Sequence, residues 1–95
     1  MKKIELNALD RVEILTLQDN TIDITMMDNS AVVQRAMAIK DGQIKNSILA
    51  EHGFSALVKT TAGEKTRTLL FDFGYSEEGA AYNARALNAD LTQVE

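Results

Sequence analysis

The stretch "GFSALVKTTAGEKTRTLLFDFG", residues 53 to 74, constrains the fold of this chain more than any other. Two runs rich in apolar and β-branched side chains, about Phe54 to Thr60 and Thr66 to Asp72, flank the polar segment Ala62-Gly63-Glu64-Lys65. That pattern predicts two antiparallel strands joined by a short turn. Successive side chains of a strand point to opposite faces, so Phe54, Ala56 and Val58 share one face while Ser55, Leu57 and Lys59 take the other. In the second run Leu69, Leu70, Phe71 and Phe73 leave neither face polar, which predicts a central strand with a layer above and below.

The rest of the chain is read around this hairpin. "RVEILTLQD", Arg11 to Asp19, alternates with Val12 and Ile14 on one side and Leu15 and Leu17 on the other; this predicts a further strand ending at the turn formers Asp19-Asn20. From Thr21 to Ile48 the pattern weakens. Val32, Val33, Ala36 and Met37 form a helical patch, interrupted by breaks at Asn29-Ser30, Asp41-Gly42 and Asn46-Ser47, and the segment reads as a long, partly helical connection. After Gly74 the sequence predicts a helix. Ser76 suits the N-cap, Glu77 and Glu78 suit the positive end of the helix dipole, and Ala80, Ala84, Leu87 and Leu91 make a narrow apolar stripe. Asn88 is the expected stop, and "ADLTQVE" reads as the turn into another element.

Composition bounds what such a unit can do. A chain of 95 residues is one domain at most, and at that size it buries only about 60 to 65% of its unfolded surface. With 45% apolar and 25% charged residues it has the make-up of a folded protein. A net charge of −4, a pI near 4.9 and the lack of a basic block argue against nucleic acid as a partner. No apolar run approaches the roughly 20 residues of a membrane span, and "MKKIELNALD" lacks the apolar stretch of a secretory signal. A cytoplasmic protein is the expectation. There are no cysteines, so disulfides, thiolate catalysis and cysteine zinc sites are excluded together, and His52 is the single imidazole.

Two places carry chemistry. Asp72 stands at the carboxyl end of an apolar strand, where α/β sheets place ligand-binding groups; the plainer reading is a residue that caps the following turn or helix. Gly74 serves either a positive φ or a close approach of backbone to a site. In "AEHGFS", Ala50 to Ser55, Glu51 and His52 could supply an acid, a base or one metal ligand. Consecutive residues of an extended segment point apart, however, so the pair is not expected to act on one atom. A surface or structural histidine is the plainer reading of His52, and one histidine cannot build the imidazole-rich sites of zinc catalysis. No motif places a serine against His52, and the glycines form no phosphate loop.

Taken together, "TLQDN", "SILAEHGFSALVKT", the strand "TLLFDFG" and the ending "NARALNADLTQVE" resemble the N-terminal portion of metallo-β-lactamase-fold hydrolases. Within them the similarity is to the dihydropterin-synthase-like branch. It covers the chain from about Val12 to Glu95, and its most specific part is "AEHGFS" followed about twenty residues later by "LFDFG". The resemblance implies an α+β fold, the N-terminal half of a four-layer αββα sandwich, with mostly antiparallel strands and a flanking helix. Residues 1–95 would be one incomplete domain. The family's His-x-His-x-Asp-His signature follows the elements seen here and lies beyond Glu95, so the zinc or other divalent metal of the complete enzyme would have no ligands on this chain. By resemblance Asp72 supports the ligand loop and Gly74 is a close-approach position. Glu51 and His52 match the branch's "EHG" beside the pocket, and Asn20 matches its "DN" turn. Phe73 departs from the family, which usually has a small or hydroxylated residue there, and this alters the hydrogen bonding open to Asp72.

Three functions remain open at this point. The chain is the N-terminal fragment of a metal-dependent hydrolase, inactive alone, whose parent turns a metal-activated water on an ester or phosphoester-like bond. Alternatively it is a stand-alone module that oligomerises or binds a ligand, using an open sheet edge and an uncovered apolar face. The third is a small complete enzyme built on His52 with Glu51 or Asp72. Either of the first two gives it a partner, a second copy or the missing C-terminal half.

Overall fold

A computed structural model describes residues 2–23, 25–26, 29–36, 39–44 and 48–95. Its centre is a three-stranded antiparallel sheet in the order β1-β4-β5, with β1 at Arg11–Gln18, β4 at Ser55–Ala62 and β5 at Lys65–Asp72. A separate ribbon pairs β2, Ile39–Lys40, with β3, Gln43–Ile44. The helix α1 spans Gly79–Ala86, and Leu91–Gln93 makes one 3₁₀ turn. Among the described residues the result is a mixed α+β unit, a small antiparallel sheet with one helix.

The hairpin forms where its sequence asks for it. β4 and β5 stay in register from Ser55↔Asp72 to Ala62↔Lys65, and Gly63 takes φ 59° at the first position of the two-residue turn. Asp10 reinforces this end. Its backbone N–H donates to the Thr61 carbonyl at 2.9 Å, and its carboxylate accepts from the Gly63 N–H at 2.6 Å. β1 adds to the far side of β4 from Arg11↔Thr61 to Gln18↔Ser55, with a register shift between Thr16 and Gln18.

Register decides the faces. Leu15, Leu57 and Leu70 are partners on one face, which Leu17 shares by alternation. The core lies on that side: Leu17, Leu57 and Ala84 of α1 are buried, with Leu87, Ala89 and Val94 packed around them. It is thin, since each fully buried leucine contributes only about 1.5–3 kcal/mol. The small residues of α1 let the helix lie close, and Ala84 is 1% exposed. On the opposite face Ile14, Val58 and Leu69 are partners, followed by Phe71, and the rings of Phe54 and Phe73 lie 6.4 and 4.7 Å from that of Phe71. Ile14 is 66% exposed, Leu69 55% and Phe71 50%. A radius of gyration of 15.5 Å also exceeds the roughly 12 Å of a compact chain of this length.

Three expectations are corrected here. β5 is not central: among the described residues β4 holds that place, and β5 is exposed on both faces, because α1 packs over β1 and β4 and leaves Leu70 half-covered. The connection after Asn20 carries no helix among its described residues; Asp41 and Gly42, read as a break, instead form the turn of the β2–β3 ribbon with φ 55° and 72°. Met37, Asn46 and Ser47 lie outside the described residues. Lastly, α1 starts two residues later than an N-cap at Ser76 would set it, so Glu77 and Glu78 precede the helix. Ser76 still serves the helix start, since its Oγ accepts from the Gly79 N–H at 2.9 Å. Asn88 is the stop, with φ 55° just past the C-cap Leu87.

Candidate functional site

The carboxyl ends of β1 and β5 meet the segment 51–54 that leads into β4 and the loop that leads from β5 into α1. Backbone bonds lace these together. The Glu51 N–H donates to the Asp19 carbonyl at 3.1 Å, the Phe73 N–H to the Phe54 carbonyl at 2.8 Å, and the Tyr75 N–H to the His52 carbonyl at 3.1 Å. Asn20 closes the corner by accepting from the Gly53 N–H at 2.8 Å through Oδ1. Gly53 has φ 119°, and a Cβ there would stand 2.8 Å from the Gly74 Cα and collide with the Phe73 carbonyl. Only glycine allows this crossing of two backbones.

Asp72 stands at the tip of β5 with its carboxylate fixed from two sides. The hydroxyl of Ser55, its partner in the ladder, donates to Oδ1, and the Gly74 N–H donates to the same oxygen at 2.8 Å. The second bond spans two residues and makes a local Asx turn, as the turn-capping reading of Asp72 anticipates. Glu51 and His52 point apart: the Ser76 hydroxyl donates to the Glu51 carboxylate, while the exposed His52 ring meets Tyr75 edge-on at 6.0 Å. Asp72, Gly74, Glu51 and Asn20 therefore gather at one corner with Ser55 and Ser76, and the His52 imidazole lies outside it. No protein-family model, no curated protein and no solved structure matches the chain. Asp23 is held below the usual carboxylate range through the Thr25 hydroxyl and amide, and Asp90 through those of Thr92. A groove of about 1310 Å³ opens at the far end of the sheet, between Glu13, Leu15, Lys59 and the segment 89–95.

Two residues essential to the corner are not signalled by type or spacing. Asn83 of α1 is 1% exposed. Its amide donates to the carbonyls of Leu17 at 2.7 Å and Leu49 at 2.9 Å and accepts from the Leu49 N–H at 2.8 Å. One side chain thus ties helix, strand and incoming loop. Gln18, also 1% exposed, donates through Nε2 to the His52 carbonyl at 3.1 Å, and its Oε1 has no hydrogen-bond partner among the described residues. Such an acceptor costs about 1–3 kcal/mol. Turning the amide over would set two acceptors, Oε1 and the His52 carbonyl, against each other.

No helix among the described residues is long and apolar enough to cross a membrane.

Proposed function

We propose that this chain is the N-terminal portion of a metallo-β-lactamase-fold hydrolase, whose complete form acts with a divalent metal on an ester or phosphoester-like bond. One observation favours this reading above the others. Val94 forms a parallel bridge with Thr68 of β5, and the Glu95 N–H donates to the Thr68 carbonyl at 3.0 Å. β5, α1 and this bridge make the strand–helix–strand crossover of an α/β unit, and a strand continued along that line runs toward the Asp72 tip. The exposed face around Phe71 fits a sheet that a second layer covers in a sandwich.

On this reading the chain's own residues build the support for a site rather than the site itself. Ser55 and the Gly74 N–H hold Asp72, and Ser76 holds Glu51. Among the described residues no group of three or more His, Cys, Asp or Glu is placed to hold a metal. With zinc or manganese added, the 95-residue chain should hydrolyse generic esters and phosphodiesters no faster than background. Turnover that vanished in Asp72→Ala would sink the proposal.

The exposed apolar face also favours a second reading, a module that associates with its own copies. Light scattering coupled to gel filtration tests the two readings together. A dimer or larger species indifferent to zinc fits either reading, and a compact monomer that unfolds cooperatively contradicts both.

A further inference from the structure

We propose that Gln18, Glu51, Asp72 and Ser76 form a binding site for a hard divalent cation of the calcium class, independent of any hydrolase activity. Gln18 provides the starting point. Its Nε2 is committed to the His52 carbonyl, which fixes the amide and leaves Oε1 buried, unpartnered among the described residues and aimed at the corner between Gly74 and Gly79.

Other oxygens converge on those same two glycines. A Cβ built on Gly74 would lie 2.7 Å from Gln18 Oε1 and 3.0 Å from Asp72 Oδ1. One built on Gly79 would lie 3.0 Å from Gln18 Oε1 and 2.9 Å from Ser76 Oγ, and would collide with the Glu51 carboxylate. Side chains larger than hydrogen would press on these oxygens, and neither glycine has a positive φ that would otherwise account for it. The two glycines let these oxygens crowd the corner that Gln18 Oε1 faces.

The donor set selects the ligand. Two carboxylates, an amide oxygen and a hydroxyl are all hard oxygen donors with no imidazole or sulfur among them. Each carboxylate receives neutral donors only, hydroxyls and a backbone N–H, and neither has a lysine or arginine partner among the described residues. A small cation supplies what both lack and also gives Gln18 Oε1 a partner. Calcium tolerates the irregular geometry of loop-borne oxygens, whereas magnesium demands a near-ideal octahedron.

The experiment is a titration of the 95-residue chain with calcium, and with manganese as a paramagnetic probe read by amide resonances. One ion per chain should bind, and manganese should broaden the Gly74 and Gly79 amides first. Glu51→Gln, which keeps the side-chain shape, and Gln18→Leu should each weaken binding at least tenfold in a chain whose spectrum remains folded. Lack of saturable binding, broadening centred on other acids such as Asp41 or Asp90, or undiminished affinity in folded Glu51→Gln would each overturn the proposal. A bridging water at Gln18 would give the first of these results. All four donors belong to this chain, so a failed hydrolysis reading leaves this titration unaffected.

Discussion

Ser55 donates its hydroxyl to the Asp72 carboxylate across the β4–β5 ladder, where the two residues are direct partners. Ser55 is fully buried, and the bond closes the hairpin at the end opposite its turn. Replacing Ser55 by alanine removes one donor from a carboxylate that keeps the Gly74 N–H. The expected loss is about 1.5–3 kcal/mol, the range for hydrogen bonds to charged groups. Urea unfolding of Ser55→Ala measures it. An unchanged midpoint would mean the bond contributes nothing net.

Asn83 should be far less forgiving. Asn83→Leu keeps the branch at Cγ and the number of side-chain heavy atoms but strips partners from the Leu17 carbonyl and from both backbone groups of Leu49. With several backbone groups left unpaired, a loss of about 3 kcal/mol or more is expected. Amide exchange at Leu49 gives a local readout. Protection retained there in the variant would contradict the assignment.

Two glycines of positive φ should behave oppositely. Gly53→Ala forces a Cβ into the Phe73–Gly74 backbone and should prevent the strand-tip corner from forming. At Gly63, φ 59° with open space around it, asparagine should be tolerated. Circular dichroism and amide spectra of the two variants decide this. Equal damage from both would show that φ alone, rather than the backbone crossing, sets the requirement at Gly53.

Acid should loosen the C-terminal turn through Asp90. The Thr92 hydroxyl and then the Thr92 amide hold its carboxyl below the usual carboxylate range. A depressed folded-state value stabilises the turn above the unfolded value of about 3.9, and that stability fades as pH falls through the folded one. The Thr92 amide, bonded to Asp90, should therefore hold its position from neutral pH down to about 4 and shift below it. Asp90→Asn should remove that step. A titration identical in the two proteins would refute it.

Phe71 tests the exposed sheet face. Between Phe54 and Phe73 and half exposed, Phe71→Glu should move any dimer or larger assembly toward monomer without disturbing the helix-covered core on the other face. An assembly that keeps its mass in the variant would place the contact elsewhere.

What was legible in the sequence follows from periodicity. The three long strands, their faces and the hairpin turn emerge from alternation between Val12 and Phe73, because a two-residue repeat is local information. Burial on both faces of β5 was not a local matter: apolar residues there show what the strand can bury, while coverage depends on elements that pack over it. Asp41-Gly42 was read only as a break in a partly helical connection, because two-residue strands are too short to show a period. Within the corner, Asp72, Gly74, Glu51 and Asn20 stood out by type and position. Gln18 and Asn83 did not, since an amide within an alternating strand or on an alanine-rich helix reads as a solvent-facing residue until the tertiary partners are known.

The order of the sheet also has a kinetic consequence. β4 pairs with β5 across a two-residue turn but with β1 only after the whole segment between Gln18 and Ser55 has looped back. Hairpins close in about 1–10 μs, and long-range pairings come later because loop closure must precede their contacts. Doubling that loop would cost only about 0.6 kcal/mol, so insertions there should slow assembly more than they weaken the product. Gln18 rides on the late-arriving strand and Asp72 on the early hairpin. Their shared corner is therefore completed last, and a ligand held there would bind the finished fold alone and stabilise it by mass action.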